Sequence, residues 1–424
     1  MLEQKPARGA ERLETGGAMI SLTPMRRVLV ASVLACALLV GLSSAANAAF
    51  GGWAVVPSPN PGVYGNIFNS VAAVGPGDVW AVGGSAAATS NRTLAAHWNG
   101  SAWTAVSTPD PVAECQDGNI QWTGNRLNAV AGRSSGDVWA VGTSCYDEKT
   151  LVERWNGSAW SIVPSPSFNT GPDSVVNVLN GVAVLSASKA WAVGMHTAAS
   201  GAYVTLVERW NGRRWKVVPS PNPDTTVNEL TAVAATGRAD VWAVGYQGTW
   251  SGKPLIEHWD GASWSVVAAP VLPSGGALTA VTAISPTDAW AVGRQTGSSG
   301  AVLTLVLHWD GAAWQIVPSP NMSTEYSASN VLRGVTAISS GDVWAVGMFE
   351  NESTAYHQHR VLTMHWDGSV WSTVSGPTPG ASGELQAVTS EASGRVWGVG
   401  LYSNYEINIY DGTYTDPQTL VLSG

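Results

Sequence analysis

Short runs of alternating apolar and polar residues, four to a repeat, recur from about residue 50 to the end of the chain. In the fifth repeat they are residues 278–284, 289–293, 303–309 and 313–317. The third and fourth runs are joined by Asp310 and Gly311, and Asp-Gly is favoured in two-residue hairpins because both positions tolerate positive φ. The pattern therefore predicts four short antiparallel β-strands in each repeat.

Tryptophan marks three fixed positions of the repeat and holds 20 of the 22 indoles. The second strand carries Trp80, Trp139, Trp191, Trp242, Trp290, Trp344 and Trp397; the third carries Trp98, Trp155, Trp210, Trp259, Trp309 and Trp366; the fourth carries Trp53, Trp103, Trp160, Trp215, Trp264, Trp314 and Trp371. Second-strand tryptophans recur every 48 to 59 residues, which indicates a repeat array. Seven repeats without helical periodicity predict an all-β fold, a seven-bladed β-propeller of four-stranded antiparallel blades packed by these indoles.

The two ends of the repeat region predict how the ring closes. Residues 53–56 have the sequence of a fourth strand, but no first, second or third strand precedes them. The seventh repeat offers only a proline-interrupted fourth strand at residues 413–417. We expect the N-terminal strand to complete the last blade, which would cover an open sheet edge. A last blade completed by residues 413–417 is the alternative.

The region before the repeats has the pattern of an export signal. A basic pair at residues 26–27 precedes an apolar run at 28–42 and a small-x-small sequence at 46–48. The run is too short for a typical retained membrane helix. We therefore expect residues 1–48 to be an upstream segment with a secretory signal peptide, and residues 49–424 to be a single propeller domain, secreted and monomeric.

The charge of the exported chain excludes some classes of binding partner. Without residues 1–48 it has 16 basic and 27 acidic residues, and such a surface repels phosphate backbones and anionic membranes. Neither nucleic acid nor, after signal cleavage, a membrane is an expected partner.

Cys115 and Cys145 flank one repeat's first two strands. Oxidised outside the cell, they would form a disulfide closing a loop of about 30 residues, worth roughly 3–4 kcal/mol.

The first repeat resembles the kelch repeat. It reads Val-Trp-Ala-Val-Gly-Gly at 79–84, His-Trp-Asn-Gly at 97–100, then Trp103 and Pro109. Kelch repeats likewise place glycine after the second strand, an aromatic–acidic pair at the end of the third and tryptophan at the start of the fourth. The chain is also similar to secreted bacterial propellers with Asp-Val-Trp-Ala-Val-Gly repeats. The resemblance implies the propeller fold, and it implies no particular function.

The aromatic residues outside the repeat positions indicate a binding face. Propeller topology places the long, variable connections on one side of the disk, opposite the short, uniform turns. The candidate ligand-binding residues on or beside those connections are Trp122, Trp250, Tyr146, Tyr246, Tyr356 and Tyr402. Rings among Ser, Thr, Asn and Gly are typical of adaptable binding surfaces. The sequence therefore favours non-catalytic recognition of an extracellular glycan or protein, without a cofactor.

Catalytic signals are weak by comparison. Acidic residues such as Glu229, Glu325 and Glu350 are scattered over the loops without a signature, although glycosidic cleavage needs two facing carboxylates. His357 and His359 are weak candidates for metal ligands. The aspartates that precede the second strands are expected to cap turns through their own backbone. A polysaccharide hydrolase or lyase that uses loop carboxylates on the same face remains the alternative function.

Overall fold

A computed structural model describes residues 52–87, 90–111, 124–144, 149–168, 176–249, 252–350, 358–405 and 416–424. These residues form β-strands, turns and loops, and contain no helix. Accordingly, no described segment is a helix with the length and hydropathy of a membrane span. Consecutive strands pair antiparallel into four-stranded sheets. The predicted architecture, a β-propeller of four-stranded antiparallel blades, is confirmed.

Within the described residues the strands form five four-stranded sheets and one eight-stranded sheet, and the larger sheet consists of two four-stranded units joined by a parallel pairing of Val302 with Ser329. We number the four-stranded units along the chain. The first strand within the described residues is β1 (Ala54–Val55). Unit 1 contains β2 (Gly65–Gly75), β3 (Asp78–Ala87), β4 (Ser90–Trp98) and β5 (Trp103–Val106); unit 2 contains β6 (Arg126–Ser134), β7 (Asp137–Ser144), β8 (Lys149–Trp155) and β9 (Trp160–Ile162); unit 3 contains β10 (Asn177–Ser186), β11 (Lys189–Thr197), β12 (Tyr203–Trp210) and β13 (Trp215–Val217); unit 4 contains β14 (Asn228–Gly237), β15 (Asp240–Gln247), β16 (Lys253–Trp259) and β17 (Trp264–Val266). Unit 5 contains β18 (Gly276–Ser285), β19 (Asp288–Thr296), β20 (Val302–Trp309) and β21 (Trp314–Ile316); unit 6 contains β22 (Ser329–Ser339), β23 (Asp342–Glu350), β24 (His359–Trp366) and β25 (Trp371–Thr373); unit 7 contains β26 (Ser382–Ser390), β27 (Val396–Ser403) and β28 (Gln418–Ser423), with β1 paired to β28.

The glycine that ends Val-Trp-Ala-Val-Gly is required by a bulge in the neighbouring first strand. In unit 4 the register shifts between Leu230 and Ala232. A Cβ atom on Gly245 would lie 1.9 Å from the carbonyl oxygen of Glu229. The equivalent positions, at 1.9 to 2.1 Å from a first-strand carbonyl oxygen, are Gly83, Gly142, Gly194, Gly293, Gly347 and Gly400. No side chain can occupy such a position, so the repeated glycine has a steric origin.

The second-strand tryptophans pack between units. They are at most 3% exposed, and each contacts indoles of the following unit. The Trp80 ring centroid lies 4.8 Å from that of Trp155 and 5.3 Å from that of Trp160. The same arrangement recurs around Trp139, Trp191, Trp242 and Trp290. Each unit thus completes the core of its neighbour, as the periodicity predicts.

Contacts of the same kind join the two ends of the described chain. Trp397 of unit 7 lies 4.9 Å from Trp98 and 5.5 Å from Trp103 of unit 1, measured between ring centroids. The backbone N–H of Gly77 donates a 2.9 Å hydrogen bond to Oε2 of Glu391. Units 1 and 7 are therefore neighbours, although they lie at opposite ends of the repeat region.

A recurrent polar contact, which we call the latch, holds the segment that follows the fourth strand against the third strand. In unit 3, Thr205 Oγ1 lies 2.6 Å from Ser220 Oγ, and the Thr205 N–H donates to Asn222 Oδ1 at 2.7 Å. Equivalent latches join Thr93 to Thr108 and Asp110, Thr150 to Ser165 and Ser167, and Thr304 to Ser319 and Asn321. In unit 7 the latch joins Thr419 to Ser58 and Asn60, which ties the segment after β1 to β28.

Candidate functional site

The connections from fourth to first strands and from second to third strands lie on one side of the units, which we call the loop face. Its exposed large apolar residues are Val63, Tyr64, Tyr203, Val271, Met322, Tyr326 and Tyr405. Val271 is 90% exposed and Tyr326 is 78% exposed. Single exposed apolar residues are ordinary on a protein surface, whereas several gathered on one side mark that side as a candidate interaction surface.

The opposite side, the turn face, is built from uniform hairpins. The glycines of the turns between third and fourth strands all have φ between 91° and 102°: Gly100, Gly157, Gly212, Gly261, Gly311 and Gly368. The aspartates before the second strands contact third-strand side chains; Asp78 Oδ1, for example, lies 2.7 Å from His97 Nε2. The third strand is thus a partner of these carboxylates that our expectation of turn capping did not include, and the capping itself stays a prediction. Among the described residues, the exposed large apolar residues of the turn face are Ile338 and Val370.

The structure places two of the six candidate aromatic residues, and both are partly buried. Tyr246 lies near the end of β15, and its hydroxyl donates a 2.6 Å hydrogen bond to Oε2 of Glu229. Tyr402 lies on β27 and packs against an apolar cluster that includes Trp344. Trp122, Trp250, Tyr146 and Tyr356 lie outside the described residues, as do Cys115, Cys145 and His357. Their roles stay predictions.

Tyr246 belongs to a polar network at the loop-face ends of the inner strands. Asn180 Nδ2 of unit 3 donates to Oε1 of Glu229 in unit 4 at 3.0 Å. Burial raises the pKa of Glu229, and the hydrogen bonds from Tyr246 and Asn180 oppose that rise. Burial and the Glu229 carboxylate also raise the pKa of Tyr246. The Tyr246 ring is therefore fixed in place by its hydroxyl group.

Further charged residues lie on units 5, 6 and 7, where Arg294 and Arg333 carry like charges and Glu384 carries the opposite one. Burial lowers the pKa of Arg294 on β19, and the nearby Arg333 lowers it further. Arg333 Nη2 donates to Glu384 Oε2 at 3.3 Å, and His359 Nδ1 lies 3.2 Å from the same oxygen. Burial alone would raise the pKa of Glu384, but Arg333 and His359 together hold it below its ordinary value. His359 Nε2 faces Glu350 Oε2 at 3.9 Å.

Below this network, the inner strands of units 1 to 6 each have one polar residue that bonds to the next unit. Asn69 Nδ2 donates to Leu127 O at 2.9 Å, and Thr279 Oγ1 donates to Leu332 O at 2.7 Å. The other members are Asn128, Asn180 and Thr231, each bonded to a first-strand carbonyl of the next unit, and Arg333, bonded to Glu384. These residues all follow the first-strand Leu or Phe directly. Their fixed place directly after the first-strand Leu or Phe is the sequence signal that could have identified them.

The acidic residues of the network are engaged by neighbouring side chains. Glu229 accepts hydrogen bonds from Tyr246 and Asn180, and Glu384 accepts one from Arg333. His359 faces carboxylates of Glu350 and Glu384. Even so, no group of three or more His, Cys, Asp and Glu among the described residues could hold a metal ion.

Three buried glutamates lie away from the loop face and were missed at the level of sequence. Glu153, Glu208 and Glu257 occupy the same place on β8, β12 and β16, and none is exposed. Within the described part of the chain their carboxyl oxygens have no hydrogen-bond partner. Burial raises the pKa of Glu153 and of Glu257 to about 8, and that of Glu208 well above its ordinary value. The equivalent residues elsewhere are Ala96, Leu307, Met364 and Leu422.

Comparison with known proteins identifies the fold. No protein-family model matches the sequence, and no curated protein matches it. A structure of YCF48 bound to a D1 peptide superimposes with a TM-score of 0.51 at 10% identity, over 88% of this chain and 97% of the other. YCF48 from Cyanidioschyzon merolae superimposes with a TM-score of 0.50 at 15% identity, over 88% and 98%. At such identities the likeness shows the fold alone.

Proposed function

We propose that this chain is a secreted, non-catalytic binding protein whose loop face recognises an extracellular glycan or a protein. The observation that carries the proposal is the set of exposed apolar and aromatic side chains on the loop face, among them Tyr64, Val271 and Tyr326. The inner strands also carry a network of fixed donors and acceptors that includes Tyr246 and Arg333. Apolar area beside a few positioned polar groups is typical of ligand sites.

The proposal includes a closed ring of seven blades, with kelch-type repeats, completed by the N-terminal strand. Support comes from the pairing of Ala54 with Ser423 and from the unit 7 latch between Ser58 and Thr419. The contact of Trp397 with Trp103 supports the junction between first and last blades. A closed ring gives the loop face a fixed frame, because no sheet edge is left to open between those blades.

Binding can be tested by screening the purified chain against glycan and peptide arrays. Tyr326→Ala should weaken binding of whatever ligand is found at least fivefold, because Tyr326 is 78% exposed on the loop face. Val370→Ala is the matched control, since Val370 is exposed on the turn face and should leave binding unchanged. Equal losses in both variants, or no binding to either array, would contradict the proposal. Turnover of a bound polysaccharide would instead favour the hydrolase or lyase alternative.

Secretion is tested separately. The small-x-small sequence that ends at Ala48 predicts cleavage after this residue. Expression in a secreting bacterial host should therefore release a chain that begins at Ala49, as read by mass spectrometry of the culture medium. Retention of residues 1–48 on the exported chain, or failure of export, would contradict this part of the proposal.

A further inference from the structure

Units 4 and 6 lack the side-chain contact of the latch, and a pocket lies at the vacated place in each. In unit 6, Val361 and Gly376 replace the latch threonine and serine; in unit 4, Pro254 and Ala269 replace them. The unit 4 pocket has a volume of about 280 Å³, and that of unit 6 about 720 Å³. The larger volume lies within the range of small-ligand sites, roughly 300–1,000 Å³.

The missing latch explains why unit 6 has room for a ligand. Gly376 and Val361 both line the pocket, with Thr378 beside them. A Cβ atom on Gly376 would lie 3.4 Å from Cγ1 of Val361, an ordinary contact distance. Serine would therefore fit at this position, and steric crowding does not require the glycine. The replacements keep the backbone contact, since the Val361 N–H donates to Thr378 Oγ1 at 3.0 Å, while they remove the side-chain contact that closes the gap elsewhere.

The pocket joins an apolar wall to polar groups and a single charge. Phe349 and Arg360 are cross-strand partners on β23 and β24. Met322, which is about half exposed, completes the apolar side. Arg360 Nη2 donates to Gln358 Oε1 at 2.6 Å, which orients the guanidinium. Among the described residues that line the pocket, Arg360 alone carries a charge, so the site is complementary to an anion.

We propose that this pocket binds a uronate, a sugar residue that carries a carboxylate, with Arg360 holding the carboxylate. A guanidinium recognises a carboxylate through paired N–H donors. The apolar face of the sugar ring fits Phe349 and Met322, and the hydroxyl rim fits Thr378 and Gln358, all of which line the pocket. The inference rests on the proposed function, because the pocket opens on the loop face, and it narrows the ligand to an acidic glycan.

The test uses pairs of ligands that differ only in the charged group. Methyl glycosides of glucuronic and galacturonic acid are compared with those of glucose and galactose, by calorimetry and ligand-observed NMR on the full exported chain. We expect at least tenfold tighter binding of one uronate than of its neutral counterpart, and that difference should shrink in high salt, which screens charge. Equal affinity for the acidic and neutral members of both pairs would overturn the inference.

Matched variants assign the binding to this pocket. Arg360→Gln should abolish the preference for the uronate, whereas Arg92→Gln should keep it, because Arg92 holds the equivalent position beside the intact latch of unit 1. The double variant Val361→Thr/Gly376→Ser rebuilds the latch and fills the gap, so it should lose uronate binding without a fall in thermal stability. Uronate binding that persists in both unit 6 variants would overturn the inference.

The outcomes separate this inference from the proposed function. Suppose that no uronate binds, and that a neutral glycan or a peptide binds wild type and the unit 6 variants equally. This result would overturn the uronate site but would still support the proposed binding function. A peptide carboxylate that binds through Arg360 while both uronates fail would overturn the sugar assignment. A chain that binds nothing in any screen would contradict both proposals.

Discussion

The indole of Trp53 meets that of Trp344 edge to face, with ring centroids 5.7 Å apart and ring planes at 88°. Trp53 immediately precedes the first strand of the chain, and Trp344 lies in the second strand of unit 6. This is the relationship that a fourth-strand tryptophan has with the preceding unit elsewhere, for example Trp160 with Trp80 at 84°. Trp53 thus makes with Trp344 the same ring contact that the fourth-strand tryptophans make elsewhere.

Replacement of Trp53 with alanine should destabilise the fold substantially. Trp53 is 7% exposed and packs in the apolar cluster shared by units 6 and 7. Loss of a buried tryptophan costs roughly 3–5 kcal/mol, and chemical denaturation followed by tryptophan fluorescence would measure it. Val55→Ala is the control, because Val55 lies two residues further along the chain with 47% exposure. A Trp53→Ala chain as stable as this control would argue against a structural role for the segment.

Replacement of Gly245 with alanine should destabilise the fold, although alanine adds only one carbon atom. The added Cβ atom would lie 1.9 Å from the Glu229 carbonyl oxygen, so β14 and β15 would have to separate. We expect a loss of roughly 3 kcal/mol or more in the free energy of unfolding. Gly237→Ala is the matched control on the same sheet, since an added Cβ there meets nothing within 4 Å. Similar stabilities for the two variants would contradict the steric explanation.

The buried glutamates should make stability depend on pH. Burial raises the pKa of Glu257 from 4.5 to about 8, so the folded chain keeps a proton there that the unfolded chain loses. Because the folded state binds more protons, the free energy of unfolding falls as pH rises from about 4.5 to about 8, by roughly 1 kcal/mol per pH unit for each such group. Denaturation at several pH values would measure this slope.

A single substitution separates Glu257 from other titrating groups. Glu257→Leu introduces the residue that unit 5 holds at the equivalent position, Leu307. We expect the variant to be more stable than wild type at pH 8 and to show a smaller slope below it. Glu325→Gln, at an exposed loop position, should leave the slope unchanged. Parallel curves for wild type and Glu257→Leu would show that the buried carboxyl does not titrate as expected.

Sequence periodicity was sufficient for the repeat architecture, because the residues that form it are repeated in nearly every unit. Val-Trp-Ala-Val-Gly shows both the strand alternation and the glycine position, and the Asn-Gly or Asp-Gly pairs show the hairpins. The segment that follows the fourth strand in the latch also repeats in the sequence, as Val-Pro-Ser-Pro-Asn at residues 56–60, 218–222 and 317–321. Its partner threonine was missed, however, because the pairing across two strands is not visible in a linear pattern.

The candidate site was much less accessible from sequence. Tyr246 was singled out as a loop aromatic, but its hydroxyl is bound by Glu229 and its ring is partly buried. Arg294 and Arg333 occupy strand positions that other units fill with unrelated residues, so no repeat signal marks them. The unit 6 pocket arises because Val361 and Gly376 lack the hydroxyl groups that form the latch in other units. Such a feature becomes visible only when the units are superimposed.

The hydrogen bond between Tyr246 and Glu229 should be measurable through the titration of the carboxyl group. The bond favours the ionised form of Glu229 against the effect of burial, so Tyr246→Phe should raise the pKa of Glu229 further above its ordinary value. The ionised carboxylate would then lack a donor, and the variant should lose stability relative to wild type increasingly as pH rises through that pKa. Carboxyl-detected NMR of the labelled chain would give the pKa, and denaturation would give the stability.

Tyr402→Phe is the control, because Tyr402 packs in an apolar cluster of units 6 and 7. This variant should leave the titration of Glu229 unchanged. An identical Glu229 titration in wild type and Tyr246→Phe would show that the 2.6 Å contact does not stabilise the carboxylate.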